Sequence, residues 1–239
     1  ETERWQRLAQ NPLRPLQNRA VTGQYAPGST YKAVVAAAAL AEGAADPKRK
    51  IYCPGSFSHG GRAYHCWNRS GHGHVNLVEA LARSCDVFFY QLGLELGIDR
   101  LAKYARSFGF GEPTGSQITG EKPGLVPTRE WKQRARNQRW QPGETISAAI
   151  GQGFNLATPL QLAVLYASLA NGGNRVQPRL VMGLESWDGE LLQSAEPVME
   201  PIAAVDEEIL SLLKQALVEA RARIPCSARP KSGLSGAAS

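Results

Sequence analysis

The stretch that most constrains the fold is residues 27–43, "PGSTYKAVVAAAALAEG". A Pro-Gly pair interrupts regular secondary structure, and the apolar run that follows it predicts a helix from Ser29 to about Glu42. Lys32 follows Ser29 by three residues, so both side chains share one face of that helix, within hydrogen-bond reach. The serine is either a plain helix cap or a nucleophile, because apolar surroundings can lower the pKa of a lysine until it is a neutral base.

Composition limits the classes of protein that need to be considered. Of 239 residues, 43% are hydrophobic, which is enough for a sizeable core. The formal net charge is +6, and the only dense basic segment is residues 128–140, "TREWKQRARNQRW". No nucleic-acid module accompanies its Arg and Trp residues, so a solvated surface explains it better and no nucleic-acid partner is expected. No apolar run approaches the about 18 residues of a membrane span.

Local signals predict a helix-dominated chain with little sheet. Residues 44–74 are rich in Gly, Pro, His and Cys and are expected to form a loop with at most short strands, and residues 111–145 are expected to be loop as well. A strand pair is predicted around Asp188-Gly189. Further helices are predicted over residues 76–83, where Asn76 and Glu79 form a capping box, and over about 87–96, 97–111, 158–171 and 206–221.

Two further motifs follow the Ser-x-x-Lys pair: Ser84-Cys85-Asp86 at a predicted helix break, and Lys231-Ser232-Gly233 near the end of the chain. An ordinary turn is the alternative for the first of them. Together the three motifs resemble the penicillin-binding and serine β-lactamase superfamily. The longer stretches "PLQNRAVTGQYAPGSTYK", "SCDVFFYQLGLELGIDRL" and "GQGFNLATPLQLAVLYASLANGG" are similar to class B penicillin-binding proteins, and "GHGHVNLVEALARSCDVFFY" is most similar to the penicillin-binding protein 2 subfamily of elongation transpeptidases.

This resemblance, from about residue 14 to about residue 220, implies an α+β fold of the penicillin-binding/serine β-lactamase-like transpeptidase type. In that fold an antiparallel sheet carries helices on both sides, next to an all-helical lobe. The helical lobe is expected to be largely present and the antiparallel sheet largely missing. Residues 1–239 are therefore expected to form a partial transpeptidase domain that lacks the anchor, the pedestal and the first and last strands of relatives.

The same resemblance implies peptidoglycan D,D-transpeptidation. Ser29 would attack the D-Ala-D-Ala carbonyl of a stem peptide, and β-lactam antibiotics would acylate the same serine. Lys32 would take the serine proton, and Ser84 would relay a proton to the leaving amine. Asp86, where most relatives carry Asn, would orient Lys32 and the substrate amide. No cofactor is needed for this acyl transfer.

The end of the chain departs from the family pattern. Lys231, Ser232 and Gly233 would bind the substrate carboxylate, but Leu234 stands where relatives carry Thr, and Pro230 cannot donate to a sheet ladder. The tripeptide is either a degraded third motif or a chance occurrence. The Leu234 N–H would be the second oxyanion donor, but the strands that would hold it in place are expected to be missing. The 239-residue chain is therefore expected to acylate slowly or not at all.

A group of soft metal ligands surrounds the second motif, consisting of Cys53, Cys66, His72 and Cys85. Three cysteines and a histidine are a standard structural zinc set, and a long glycine-rich loop gains stability from such a cross-link. The other histidines, His59, His65 and His74, are alternatives to His72 as the fourth ligand.

Two readings compete with zinc. The resemblance implies the periplasmic side of the bacterial inner membrane, an oxidising compartment where two of the cysteines could pair in a disulfide. The three thiols could also simply be free. Cys226 lies outside the group and has no evident partner.

The resemblance also implies partners: stem peptides, β-lactams and, in the anchored full-length protein, a SEDS-family glycosyltransferase with other elongation proteins. Two alternatives stay open. One is a β-lactam sensor or β-lactamase of the same fold, which would hydrolyse the acyl-enzyme with a positioned water. The other is a non-catalytic module that binds peptidoglycan or an elongation partner.

Overall fold

A computed structural model describes residues 2–223, which contain ten α-helices and eight short strands. The helices are α1 (Thr2–Ala9), α2 (Arg19–Thr22), α3 (Lys32–Ala41), α4 (Leu77–Ala82), α5 (Asp86–Leu96), α6 (Ile98–Ser107), α7 (Arg129–Arg136), α8 (Pro142–Ala148), α9 (Pro159–Ala170) and α10 (Glu207–Ala222). The strands are β1 (Ile51–Cys53), β2 (Ser56–His59), β3 (Arg62–His65), β4 (Gly73–Val75), β5 (Asn174–Val176), β6 (Gly183–Glu185), β7 (Leu191–Ser194) and β8 (Met199–Pro201). A 3₁₀ turn, Gly28–Tyr31, precedes α3.

Helix α3 is the centre of the fold. It carries almost no polar side chain, and every residue from Lys32 to Ala39 is buried. A helix that is apolar all round has to be covered on all sides, and α5, α6 and α10 pack around it. Its alanines keep the covering helices close to its backbone, so the residue that opens the helix is fixed within the core.

Helix α10 covers α3 and α4. Asp206 caps its first turn by accepting a hydrogen bond from the Ile209 N–H at 2.8 Å. Its buried face consists of Ile209, Leu210, Leu213 and Ala216. The predicted final helix is therefore confirmed, and it completes the cover of the core around α3.

The strands of residues 2–223 form four antiparallel two-stranded ribbons, and none of them extends to a third strand. The ribbons pair β1 with β4, β2 with β3, β5 with β8 and β6 with β7. The first two fold residues 51–75 into a compact unit against α5. The expected helix-rich α+β fold is confirmed, and so is the strand pair around Asp188-Gly189.

Two local predictions were wrong. Residues 111–145 were expected to be loop but contain α7 and most of α8, because Thr128 accepts from the Trp131 N–H at 2.9 Å and Gln141 forms a capping box with Glu144. The α-helix expected to begin at Ser29 begins at Lys32, because the preceding four residues form the tighter 3₁₀ turn.

Within the described part of the chain, we find no helix whose length and apolar character would let it cross a membrane.

Gly93 lets α5 and α8 approach closely. A Cβ on Gly93 would lie 2.4 Å from the Ala149 Cβ, far inside van der Waals contact. We expect Gly93→Ala to lower the free energy of unfolding by about 1–3 kcal/mol, although the same change at an open helix position raises it by roughly 1 kcal/mol. The double variant Gly93→Ala/Ala149→Gly should recover most of the loss. Urea denaturation measures both, and a stabilised single variant would contradict this packing.

Candidate active site and metal-ligand cluster

Four predicted residues, Ser29, Lys32, Ser84 and Asp86, meet at one end of α3. They come from the 3₁₀ turn, the first residue of α3, the turn after α4 and the first residue of α5. The cleft around Ser29 has a volume of about 500 Å³. Its lining also includes His65, Trp67, Tyr90, Ile150 and Gln152.

The Ser29 turn is held against the turn that follows α8. The Gly28 N–H donates to the Gly151 carbonyl at 2.9 Å. Gly151 has a φ of 68°, and a Cβ on it would lie 2.2 Å from the Gly28 carbonyl oxygen. Only glycine fits there, so this close backbone contact fixes the position of Ser29 at the edge of the cleft.

Ser84 has a left-handed backbone conformation, with a φ of 53°. This is uncommon for a residue other than glycine. The conformation is held by hydrogen bonds on both sides, from the Ser84 N–H to the Leu81 carbonyl at 3.1 Å and from the Cys85 N–H to the Ala80 carbonyl at 2.8 Å. It turns both the carbonyl and the hydroxyl of Ser84 toward Lys32.

Lys32 is completely buried, and its ammonium has three partners. Its Nζ lies 2.6 Å from Asp86 Oδ1, 2.9 Å from the Ser84 carbonyl and 3.0 Å from Ser84 Oγ. Three donors and three acceptors leave the buried cation fully satisfied. Burial lowers the pKa of Lys32, and the adjacent Asp86 carboxylate acts in the opposite direction.

The link from the lysine to Ser29 runs through Ser84. The Ser84 hydroxyl lies 2.9 Å from the Ser29 hydroxyl, whereas Lys32 makes no hydrogen bond to Ser29 in the structure of residues 2–223. The expected direct contact between Lys32 and Ser29 was therefore wrong. Its physical cause is the buried carboxylate of Asp86, which together with Ser84 takes all three ammonium protons.

The alternative reading of Ser29 as a helix cap finds no support. The N-cap residue of α3 is Tyr31, and no side chain caps this end of the helix. The Ser29 hydroxyl instead faces Ser84 across the cleft.

Trp67 is a site residue that the sequence reasoning missed. Its backbone N–H donates to Asp86 Oδ2 at 2.8 Å, and its indole N–H donates to the Arg83 carbonyl at 3.1 Å. Tyr90, whose hydroxyl donates to the His65 carbonyl at 2.9 Å, was missed as well. A backbone N–H is available from almost any residue type, so no sequence pattern marks the role of Trp67.

The second predicted group also comes together. Ligand atoms of Cys53, Cys66, His72 and Cys85 lie within 4.8 Å of one another, and all four residues are buried. His72 Nδ1 is 3.6 Å from Cys53 Sγ and 3.5 Å from Cys66 Sγ. For Zn–S bonds of about 2.3 Å and a Zn–N bond of about 2.1 Å, a tetrahedral sulfur–nitrogen edge is about 3.6 Å. The donor set and its spacing therefore fit a zinc ion.

The histidine of this cluster is His72, and the other three histidines lie outside it. Burial, followed by the charge of Arg83, lowers the pKa of His72, which favours the neutral imidazole that metal binding requires. The Cys53, Cys66 and Cys85 thiols are free, without a disulfide among these three.

The remaining predicted residues lie outside the described part of the chain. These are Cys226 and the proposed carboxylate-binding group Lys231, Ser232, Gly233 and Leu234.

The chain also matches a known protein family. Residues 2–227 match the "Penicillin binding protein transpeptidase domain". This chain belongs to the penicillin-binding protein transpeptidase family. The Acinetobacter baumannii peptidoglycan D,D-transpeptidase MrdA is 45% identical over 176 residues, which are 73% of this chain and 26% of that protein.

Solved structures of the family share the fold. The crystal structure of Pseudomonas aeruginosa PBP2 in complex with WCK 5153 matches with a TM-score of 0.80 and 39% identity, over 91% of this chain and 49% of that one. The complex between PBP2 and MreC from Helicobacter pylori matches with a TM-score of 0.77 and 32% identity, over 92% of this chain and 39% of that one. The predicted resemblance to penicillin-binding protein 2 is confirmed.

This penicillin-binding transpeptidase chain spans about a third or less of the length of the curated relatives that it matches, namely 31%, 26% and 33% for three MrdA proteins.

Proposed function

We propose that this chain carries the acylation centre of a peptidoglycan D,D-transpeptidase that crosslinks stem peptides during elongation and maintains cell shape. One observation carries the proposal: the continuous line of polar atoms from the buried Lys32 Nζ through Ser84 Oγ to Ser29 Oγ, with separations of 3.0 Å and 2.9 Å. A serine hydroxyl needs a base to become a nucleophile, and this line supplies one.

In the first step Ser29 Oγ attacks the carbonyl carbon of the penultimate D-alanine. The Ser29 proton passes to Ser84, and Ser84 passes its own proton to the neutral Lys32 amine. The peptide C–N bond then breaks, the terminal D-alanine leaves with a proton returned through Ser84, and an ester remains on Ser29. An amine of a second stem peptide attacks that ester, forms the crosslink and frees the serine.

Asp86 holds the base in position. Its Oδ1 binds Lys32 at 2.6 Å and its Oδ2 accepts from the Trp67 N–H at 2.8 Å. The carboxylate is thereby fixed from two sides and holds the buried lysine next to Ser84. Lys231, Ser232, Gly233 and Leu234 stay a prediction for binding the substrate carboxylate.

A β-lactam would acylate the same serine, because its strained amide replaces the D-Ala-D-Ala amide and no leaving group departs. The relatives support this assignment, because they include a D,D-transpeptidase and penicillin-binding protein A from M. tuberculosis, which was solved as a penicillin G acyl-enzyme complex. A β-lactamase or sensor of the same fold would differ in the lifetime of the acyl-enzyme, and a non-catalytic binding module would form no adduct.

We also propose that Cys53, Cys66, His72 and Cys85 bind one structural Zn²⁺ ion. The supporting observation is the buried Cys₃His set with sulfur–nitrogen distances of 3.5 Å and 3.6 Å. A bound ion would crosslink β1, the segment after β3, the segment before β4 and the turn before α5, which stabilises a region with little apolar core.

For the full-length protein we propose the periplasmic side of the inner membrane, in a complex with elongation proteins that includes a SEDS-family glycosyltransferase. The support is the family and the Helicobacter pylori relative, which was solved in complex with MreC.

The nucleophile can be tested with the full-length protein. We expect benzylpenicillin to add one covalent adduct, detected by intact mass, because the neutral lysine activates Ser29 through Ser84. Ser29→Ala should abolish the adduct, whereas Ser70→Ala, at an exposed serine, should leave it unchanged. An adduct that persists in the Ser29→Ala protein would show that another residue is acylated.

Metal content tests the second proposal. Protein purified without chelator should contain about one zinc per chain. His72→Ala and Cys66→Ser should each lose most of it, because three ligands hold zinc more weakly than four. His74→Ala is the matched control, since His74 lies two residues away and is exposed. Equal zinc content in all variants would exclude this site, and two thiols protected from alkylation without zinc would favour the disulfide.

A further inference from the structure

A second cavity of about 560 Å³ lies between the β2–β3 hairpin and α8. Its volume is within the range of sites for drug-sized ligands. The walls include His59, Arg62, Tyr64, Pro142, Ser147 and Phe154. None of these residues has a part in the acylation step derived above.

This cavity adjoins the cleft of Ser29. Tyr64 lines the cavity and the next residue, His65, lines the cleft. In the same way Gly153 lines the cavity and Gln152 lines the cleft. The Tyr64 ring of the cavity also packs at 5.9 Å against the Tyr90 ring of the cleft, so the two spaces are neighbours on either side of this ring pair. A ligand in the cavity would pass this pair to extend a group toward Ser29.

The cavity holds a cation without a counterion. Arg62 is exposed, and no carboxylate among residues 2–223 forms a salt bridge with it. The one acidic residue in the wall, Glu144, is already engaged with Lys132 at 2.5 Å and with the Gln141 N–H at 2.7 Å. The charged group that the cavity offers to a ligand is therefore the Arg62 guanidinium, which is positive.

The guanidinium is also positioned in advance. Its Cζ lies 5.4 Å from the centre of the Tyr64 ring, a cation–π distance. Tyr64 is itself fixed, because its ring packs at 5.9 Å against Tyr90 and a Cβ on Gly143 would lie 2.4 Å from its hydroxyl. A cation held in place before binding loses little entropy when it binds an anion.

We propose that this cavity is the subsite for the acceptor stem peptide, and that Arg62 binds a carboxylate of that peptide. The inference rests on the proposed function, since transpeptidation needs a second peptide whose amine reaches the ester on Ser29. A free stem peptide carries carboxylates, and a planar guanidinium binds a carboxylate through two parallel hydrogen bonds. Binding in the adjoining cavity brings the amine to the cleft without occupying the place of the donor peptide.

The test is a binding titration with full-length protein in a Ser29→Ala background, so that no reaction takes place. The probe is a stem tripeptide with a free side-chain amine and free carboxylates but without the D-alanines, which keeps it out of the donor site. NMR titration gives its Kd. We expect Arg62→Gln to weaken binding about tenfold, the loss of one charge-assisted contact, and Arg62→Lys to weaken it less.

Two controls make the result specific. Arg136→Gln removes the same charge from an exposed residue of α7 and should leave the Kd unchanged. The tripeptide with amidated carboxylates should bind weakly, and Arg62→Gln should not change its Kd. An unchanged Kd for the free tripeptide in the Arg62→Gln protein, or an equal loss for the amidated one, would overturn the inference. Absence of a penicillin adduct in the wild-type protein would instead overturn the proposed function.

Discussion

The buried ion pair between Lys32 and Asp86 is the interaction on which the site depends. A buried charge is tolerated only when it is paired and fully hydrogen-bonded, and here the ammonium has three acceptors within 3.0 Å. To satisfy it, the start of α3, the left-handed turn at Ser84 and the start of α5 have to converge. The apolar α3 puts the lysine inside the core, and Ser84 then joins the lysine to Ser29.

The two functional groups share one stretch of backbone. Cys85 lies between Ser84 and Asp86, and Cys66 immediately precedes Trp67, whose N–H binds Asp86 at 2.8 Å. A metal ion on the two cysteines would thus stabilise the same peptides that hold Lys32, the proposed base. Loss of the proposed zinc would therefore loosen the proposed acylation centre, although acyl transfer in this family needs no cofactor.

The sequence predicted which residues form the site more successfully than it predicted the contacts between them. The spacing of Ser29 and Lys32, and the Cys₃His set, were visible because residue type and separation carry the signal. The pairing of Lys32 with Asp86, 54 residues away, came only from the family resemblance, and helical spacing alone wrongly placed the ammonium against Ser29. Helix α8 was missed because its cap lies within a segment rich in Pro and Gly. The hydrogen bond from Trp67 cannot be predicted from residue type, because its donor is a backbone N–H.

If Lys32 is the base for Ser29 under the influence of Asp86, the pH dependence of penicillin acylation reveals it most directly. Acylation should speed up as pH rises through the Lys32 pKa, because only the neutral amine accepts a proton. Burial lowers that pKa and Asp86 raises it. Asp86→Asn should therefore shift the rise of the acylation rate to lower pH. A rise of the acylation rate at the same pH as in the wild-type protein, or at higher pH, would contradict the role of Lys32 as the base.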